Sequence, residues 1–151
     1  MLSRTMRIDT AHFGNLRVND DEVVCFPLGL PGLENRRRWV LLTPPCGSEV
    51  SWLQSVESPE TALAVVHPRQ FFPEYQLRTK RQQLDTLDLH YLNDAYVLVT
   101  VNQTEQGLTL NLKAPLVING RRRLGRQVIA SGDMPVQYLV DQPTQPLKKT
   151  A

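Results

Sequence analysis

Short apolar stretches broken by proline, glycine and charged residues run the length of the chain, and few are long enough for a helix of several turns. Met6 to Val18 reads as two strands around Phe13-Gly14-Asn15, because glycine supplies the positive φ that reverses a chain. Glu22 to Phe26 is the next strand. Asp20 and Asp21 precede it as a solvated turn, and Pro27, which has no N–H for a ladder, ends it. Trp39 to Leu42 follows the Arg36-Arg37-Arg38 run and stops at Pro44-Pro45, while Val50 to Val56 alternates partly in period two, as a half-buried strand does. Trp39 and Trp52 are the expected core anchors. Thr61 to Val66 is a nearly continuous apolar run closed by Pro68, the pattern of a strand buried on both faces.

Helical signals are sparse. Ser58-Pro59 predicts a single helical turn, serine capping free N–H groups and proline suiting the first helical position. Thr79-x-x-Gln82 has the form of a capping box, with Leu84, Leu87, Tyr91 and Leu92 at helical spacing and Asp85 and Asp88 turned to water, which predicts the one true helix. Tyr96 to Asn102 and Leu108 to Leu112 then flank Gln103 to Gly107 as a hairpin. In its second arm Leu108, Leu110 and Leu112 share one face and Thr109 and Asn111 the other. Leu116-Val117-Ile118 pairs with Gln127 to Ala130 around a connection whose tip, Arg121-Arg122-Arg123, is basic. The pattern as a whole predicts an all-β fold, a small barrel-like or sandwich-like antiparallel structure with one short helix. Residues 1–140 form one domain in this reading, and the polar, proline-broken 141–151 a frayed tail.

Composition narrows the function more than it names it. At 151 residues, 41% hydrophobic and 21% charged, the chain is an ordinary globular one. No apolar run approaches the ~20 residues that span a bilayer, and the first residues lack the apolar core of a secretion signal, so a cytoplasmic protein without membrane contact is expected. Cys25 and Cys46 make no metal or disulfide framework, and His12, His67 and His90 are too scattered to ligate together. No nucleophile elbow or phosphate loop is present, and Asp9 with His12 is only a fragment of a catalytic arrangement. Neither an enzyme nor a cofactor is expected. A net charge of +2 does not mark a nucleic-acid binder. The alternative that stays open is an RNA-binding β-barrel that uses Arg36 to Arg38, Arg121 to Arg123 and the Arg78, Lys80, Arg81 cluster.

Two stretches stand apart from this background: Phe26-Pro27-Leu28-Gly29-Leu30-Pro31-Gly32-Leu33-Glu34, and Asn111 to Asn119 followed by Gly125-Arg126-Gln127-Val128-Ile129. Two prolines and two glycines in nine residues prescribe a tightly shaped loop. Together with Phe13-Gly14, Trp52 to Val56, Leu63 to Val66 and Phe71-Phe72-Pro73-Glu74-Tyr75, these stretches resemble, in order and over most of the chain, the FliW family of flagellar assembly factors. The resemblance implies a non-enzymatic β-barrel-like factor, monomeric when free. It would bind flagellin and a CsrA-type translational repressor, with no direct nucleic acid, and so couple flagellin translation to its secretion. After Tyr75 that family tends to continue with acidic residues, whereas Gln76 to Arg81 here is basic. The expected contact residues are Pro31, Gly32 and Leu33 on the shaped loop, Phe71, Phe72 and Tyr75 as aromatic anchors, and Asn111 and Lys113 as outward polar groups.

Overall fold

The computed structural model describes residues 4–43 and 50–140. Among the described residues there are eleven strands: β1 Thr5–Thr10, β2 Gly14–Asn19, β3 Val23–Cys25, β4 Arg38–Leu42, β5 Ser51–Ser55, β6 Ala62–Val66, β7 Ala95–Thr104, β8 Gly107–Leu110, β9 Leu116–Asn119, β10 Leu124–Gln127 and β11 Tyr138–Leu139. Strands β3 to β7, β9 and β10 close on themselves as a seven-stranded barrel, because β9 pairs with β10 on one side and β7 on the other. Strands β8 and β11 extend the sheet from the second half of β7. The pairing is antiparallel except between β10 and β3, where Leu124 lies beside Cys25 in parallel. Cys46 and Pro44-Pro45, like the tail 141–151, lie outside the described residues.

Side chains that alternate inward fill the barrel. Val24, Phe26, Leu30, Trp39, Leu53, Val65, Leu98, Leu116 and Ile118 form its buried core, with Leu33, Leu41, Leu63 and Tyr96 at its margin. Packing is close enough that Gly125 on β10 admits no larger residue, since a Cβ there would lie 2.5 Å from the ring of Phe26. The expected β1–β2 hairpin forms around Gly14, whose φ is +74°. Thr10 stabilises its turn, donating from Oγ1 to the Gly14 carbonyl and accepting from the Phe13 N–H, each at 2.8 Å. The hairpin lies on the barrel exterior, where Ile8 and Val18 meet Val40.

Several expectations change in three dimensions. Trp39 is fully buried, but Trp52 is half-buried outside the core, beside the rings of His12 and Phe13 at centroid distances of 6.5 and 6.0 Å. At Ser58-Pro59 there is a turn and no helix. Ser55 Oγ accepts from the Glu57 and Ser58 N–H groups, and the buried Gln54 amide donates to the carbonyls of Ser55, Ser58, Pro59 and Thr61, so side chains replace the helical ladder. Strand β6 is buried at Val65 and Val66 and only half-buried over Ala62–Ala64.

The one short helix after Thr79 is a seven-residue 3-10 helix, Arg81–Leu87; the other helical pieces are single turns. Thr79 does not cap it. Its hydroxyl donates to the Ile129 carbonyl at 2.7 Å, and Asp88, at φ 53°, turns the chain away. Leu87 is buried on Val117 and Val128 with Leu84 beside it, whereas Tyr91 is exposed, and the side chain of Leu92 lies outside the described set. Asn119 fixes this arrangement. Its Nδ2 donates to the Leu87 and Asp88 carbonyls at 2.8 and 3.2 Å, and its Oδ1 accepts from the N–H groups of Arg121 and Arg122. Asn119→Ala would strand the buried Leu87 carbonyl and release the turn at the hairpin tip, an expected loss of about 3 kcal/mol. Urea denaturation measures it.

Candidate protein-binding surfaces

The Phe26 to Glu34 loop is shaped by burial on one side and glycine geometry on the other. Phe26 and Leu30 plunge into the barrel core, with Leu33 against its edge. The Gly29 N–H donates to the Phe26 carbonyl at 2.8 Å, Leu33 N–H to Leu30 at 2.7 Å and Gly32 N–H to the Glu34 carboxylate at 3.1 Å. Gly29 at φ +69° and Gly32 at φ +81° take the left-handed region. Pro31 and Gly32 are exposed. The apolar side chain that the loop offers outward is Leu28, 56% exposed, and not Leu33. Both leucines look alike in sequence; the reversal at Gly29 decides between them.

The other expected contacts gather on a different cluster. Tyr75 is buried with Val66, Val99, Leu110 and Leu112, and Phe71 and Phe72 are half-buried against the same group. Phe72 stacks on Tyr138 with ring centroids 5.5 Å apart. Of the three aromatics, Phe71 and Phe72 therefore keep an outer edge and Tyr75 does not. Asn111 and Lys113 flank the buried Leu112 just past the end of β8, and both are bonded within the chain. Asn111 Oδ1 accepts from the N–H groups of Lys113 and Ala114, and Lys113 Nζ donates to the carbonyls of Ala130 and Gly132 at 2.8 and 2.9 Å. They hold the loop over this cluster in place. Leu33 of the loop packs on the barrel core, whereas this aromatic group packs on a different hydrophobic cluster.

Burial pushes the Tyr75 phenol up to about 12, and its hydroxyl has no hydrogen-bond partner among the described residues. As pH rises past 10 the unfolded chain ionises this phenol while the folded chain still keeps its proton. The contribution is complete below pH 10 and is lost between 10 and 12. Tyr96, raised by burial as well, acts in the same direction. Tyr75→Phe is expected to leave stability at pH 7 unchanged or slightly higher and to soften the alkaline decline, as read by urea melts from pH 8 to 11.5.

A model of the family described as the FliW protein matches residues 7–140. The chain belongs to the FliW family. Two flagellar assembly factors FliW illustrate the relation: that of Natranaerobius thermophilus is 38% identical over 127 residues, covering 82% of this chain and 84% of the relative. That of Syntrophomonas wolfei is 33% identical over 148 residues, covering 96% and 95%. A crystal structure of the flagellar assembly factor FliW superposes with a TM-score of 0.84 at 28% identity, over 90% of this chain and 97% of that one. The barrel is thus the FliW fold, and the function at family level is flagellar assembly. No helix among the described residues is long and apolar enough to cross a membrane.

In this FliW barrel the two tri-arginine runs meet, which their separation in sequence does not suggest. The Cys25 N–H donates to the Arg123 carbonyl and the Phe26 N–H to the Arg37 carbonyl, so the runs flank β3 at one rim. Several of these arginines are engaged. Arg38 pairs with Glu57 at 3.1 Å, Arg122 with Asp88 at 3.4 Å, and Arg37 Nε reaches the Glu34 carbonyl at 3.4 Å. No group of three or more acidic, histidine or cysteine side chains able to hold a metal ion occurs among the described residues.

Proposed function

We propose that this chain is a non-enzymatic, cytoplasmic assembly factor, monomeric when free, that binds flagellin and a CsrA-type translational repressor and so ties flagellin synthesis to export. Membership of the FliW family over residues 7–140 carries this reading. A barrel interior filled by aliphatic and aromatic side chains supports it, because such a core leaves the work to the exterior. Leu28, Pro31 and Gly32 form one contact face and Phe71 and Phe72 a second, while Leu33, Tyr75, Asn111 and Lys113 hold those faces in shape. Two partners on one small domain need only differential affinity to exchange.

Titration of purified flagellin and repressor into the full chain tests the proposal. Binding of both is expected, and Leu28→Asp, an exposed change that leaves the core intact, weakens one of them at least tenfold. Adding repressor to a preformed flagellin complex then separates displacement from a ternary complex. Failure to bind either partner overturns the reading. The arginine rim favours an RNA-binding alternative, which predicts salt-sensitive RNA binding lost on neutralising Arg121 to Arg123.

A further inference from the structure

The barrel is stitched unevenly between β6 and β7. Their ladder consists of Val66 with Val99 and Val65 with Thr100, and there it ends, although β6 runs back to Ala62 and β7 on to Thr104. Continued in register, it would pair Ala64 with Val101, Leu63 with Asn102 and Ala62 with Gln103. None of these pairs forms. Beyond Ala64 and Val101 the residue pairing of β6 is with β5 alone and that of β7 with β8 alone.

Alternation along the strands fixes which backbone groups face the opening. Thr61 accepts from Ser55 on the β5 side, so Ala62 and Ala64 point away from β5. Thr100 accepts from Asn111 on the β8 side, so Val101 and Gln103 point toward β6. The backbone N–H and C=O groups of Ala62 and Gln103 are thereby aimed into the same gap from opposite edges. An open groove of about 440 Å³ lies there, lined by those would-be partners together with Val50, Trp52 and Leu108. Not one lining residue is ionisable.

We propose that this split seam is a docking site for an extended, uncharged segment of a partner polypeptide, which adds as a short strand against the exposed edges. Backbone donors and acceptors in a groove are satisfied by another extended backbone, not by a helix, whose own amides are internally bonded. The uncharged lining selects the segment's side chains, since a charge carried into it would be left unpaired. Natural sheets usually protect free edges with lysine, proline or a covering element. Ala62-Leu63-Ala64 has no charge or proline, and the small side chains of Ala62 and Ala64 let a backbone approach. This inference does not depend on the identity of the partners proposed above.

The test is amide hydrogen exchange by NMR on the full chain, with the capped pentapeptide acetyl-Val-Thr-Val-Thr-Val-amide as probe. The free protein is expected to exchange Ala62 and Gln103 amides freely, and millimolar peptide to slow both about tenfold. The same peptide with glutamate at its centre is expected to have no effect. Ala64→Lys, and separately Ala62→Pro read at the Gln103 amide, should abolish the protection while the remaining spectrum shows an intact barrel. Protection already present without peptide, protection that grows with protein concentration alone, equal protection by the glutamate peptide, or retention of binding in both variants would each overturn the proposal.

Discussion

Trp39→Ala is expected to lower the unfolding free energy by about 3–5 kcal/mol, approaching the whole stability of a domain this size. Trp39 is the largest wholly buried side chain among the described residues. It stands on β4 between Val24 of β3 and Ser55 of β5, packs into the core with Phe26, Leu53 and Ile118, and donates from Nε1 to the Arg36 carbonyl at 3.0 Å. Truncation leaves a void that a closed barrel cannot collapse around, because each neighbouring strand is held from both sides. Trp52→Ala is the internal control. Its ring lies outside the core beside His12 and Phe13, so about 1 kcal/mol or less is expected. Equal losses in urea melts of the two variants would contradict the assignment of Trp39 as the residue that fills the barrel.

Gly29→Ala follows as the second large effect, about 2–4 kcal/mol. Two causes add. The residue sits at φ +69°, where an L side chain is strained, and a Cβ there would lie 2.6 Å from the Glu34 Cα and 2.8 Å from its carbonyl oxygen. The obstacle is backbone, which cannot rotate out of the way as a side-chain tip can. Gly32→Ala separates these causes, since Gly32 shares the positive φ, at +81°, but has open space around it, so only the conformational part of about 1 kcal/mol is expected. Thermal melts of the two variants measure the difference. The Gly29 variant should also displace Leu28 and thereby weaken whatever partner uses that face.

Strand positions were readable because a half-buried strand has a period of two and ends at proline or glycine. Met6 to Val18 and Trp39 to Leu42 appear as expected, while the later hairpin forms with a shorter turn, Glu105-Gln106, because Gln103 and Thr104 already pair with Leu108 and Gly107. The misreadings share a cause. Ser58-Pro59 looks like a helix start locally, yet Gln54 and Ser55 take over its backbone groups. Thr79 looks like a cap, yet Ile129, fifty residues on, offers its hydroxyl a better acceptor. Lys113 and Asn111 look like free polar groups on an outward face, and the chain has already left β8 when it reaches them.

The amino-acid order by itself determined the all-β class, the shaped loop at Phe26 to Glu34 and kinship with flagellar assembly factors, because periodicity, proline and glycine act over a few residues. Tertiary structure decided which of two tryptophans fills the barrel, which leucine of the loop faces out, that the two arginine runs share a rim, and that β6 and β7 part after two residue pairs. Those outcomes depend on contacts between segments far apart in the chain, and no local pattern encodes the distance at which two strands diverge.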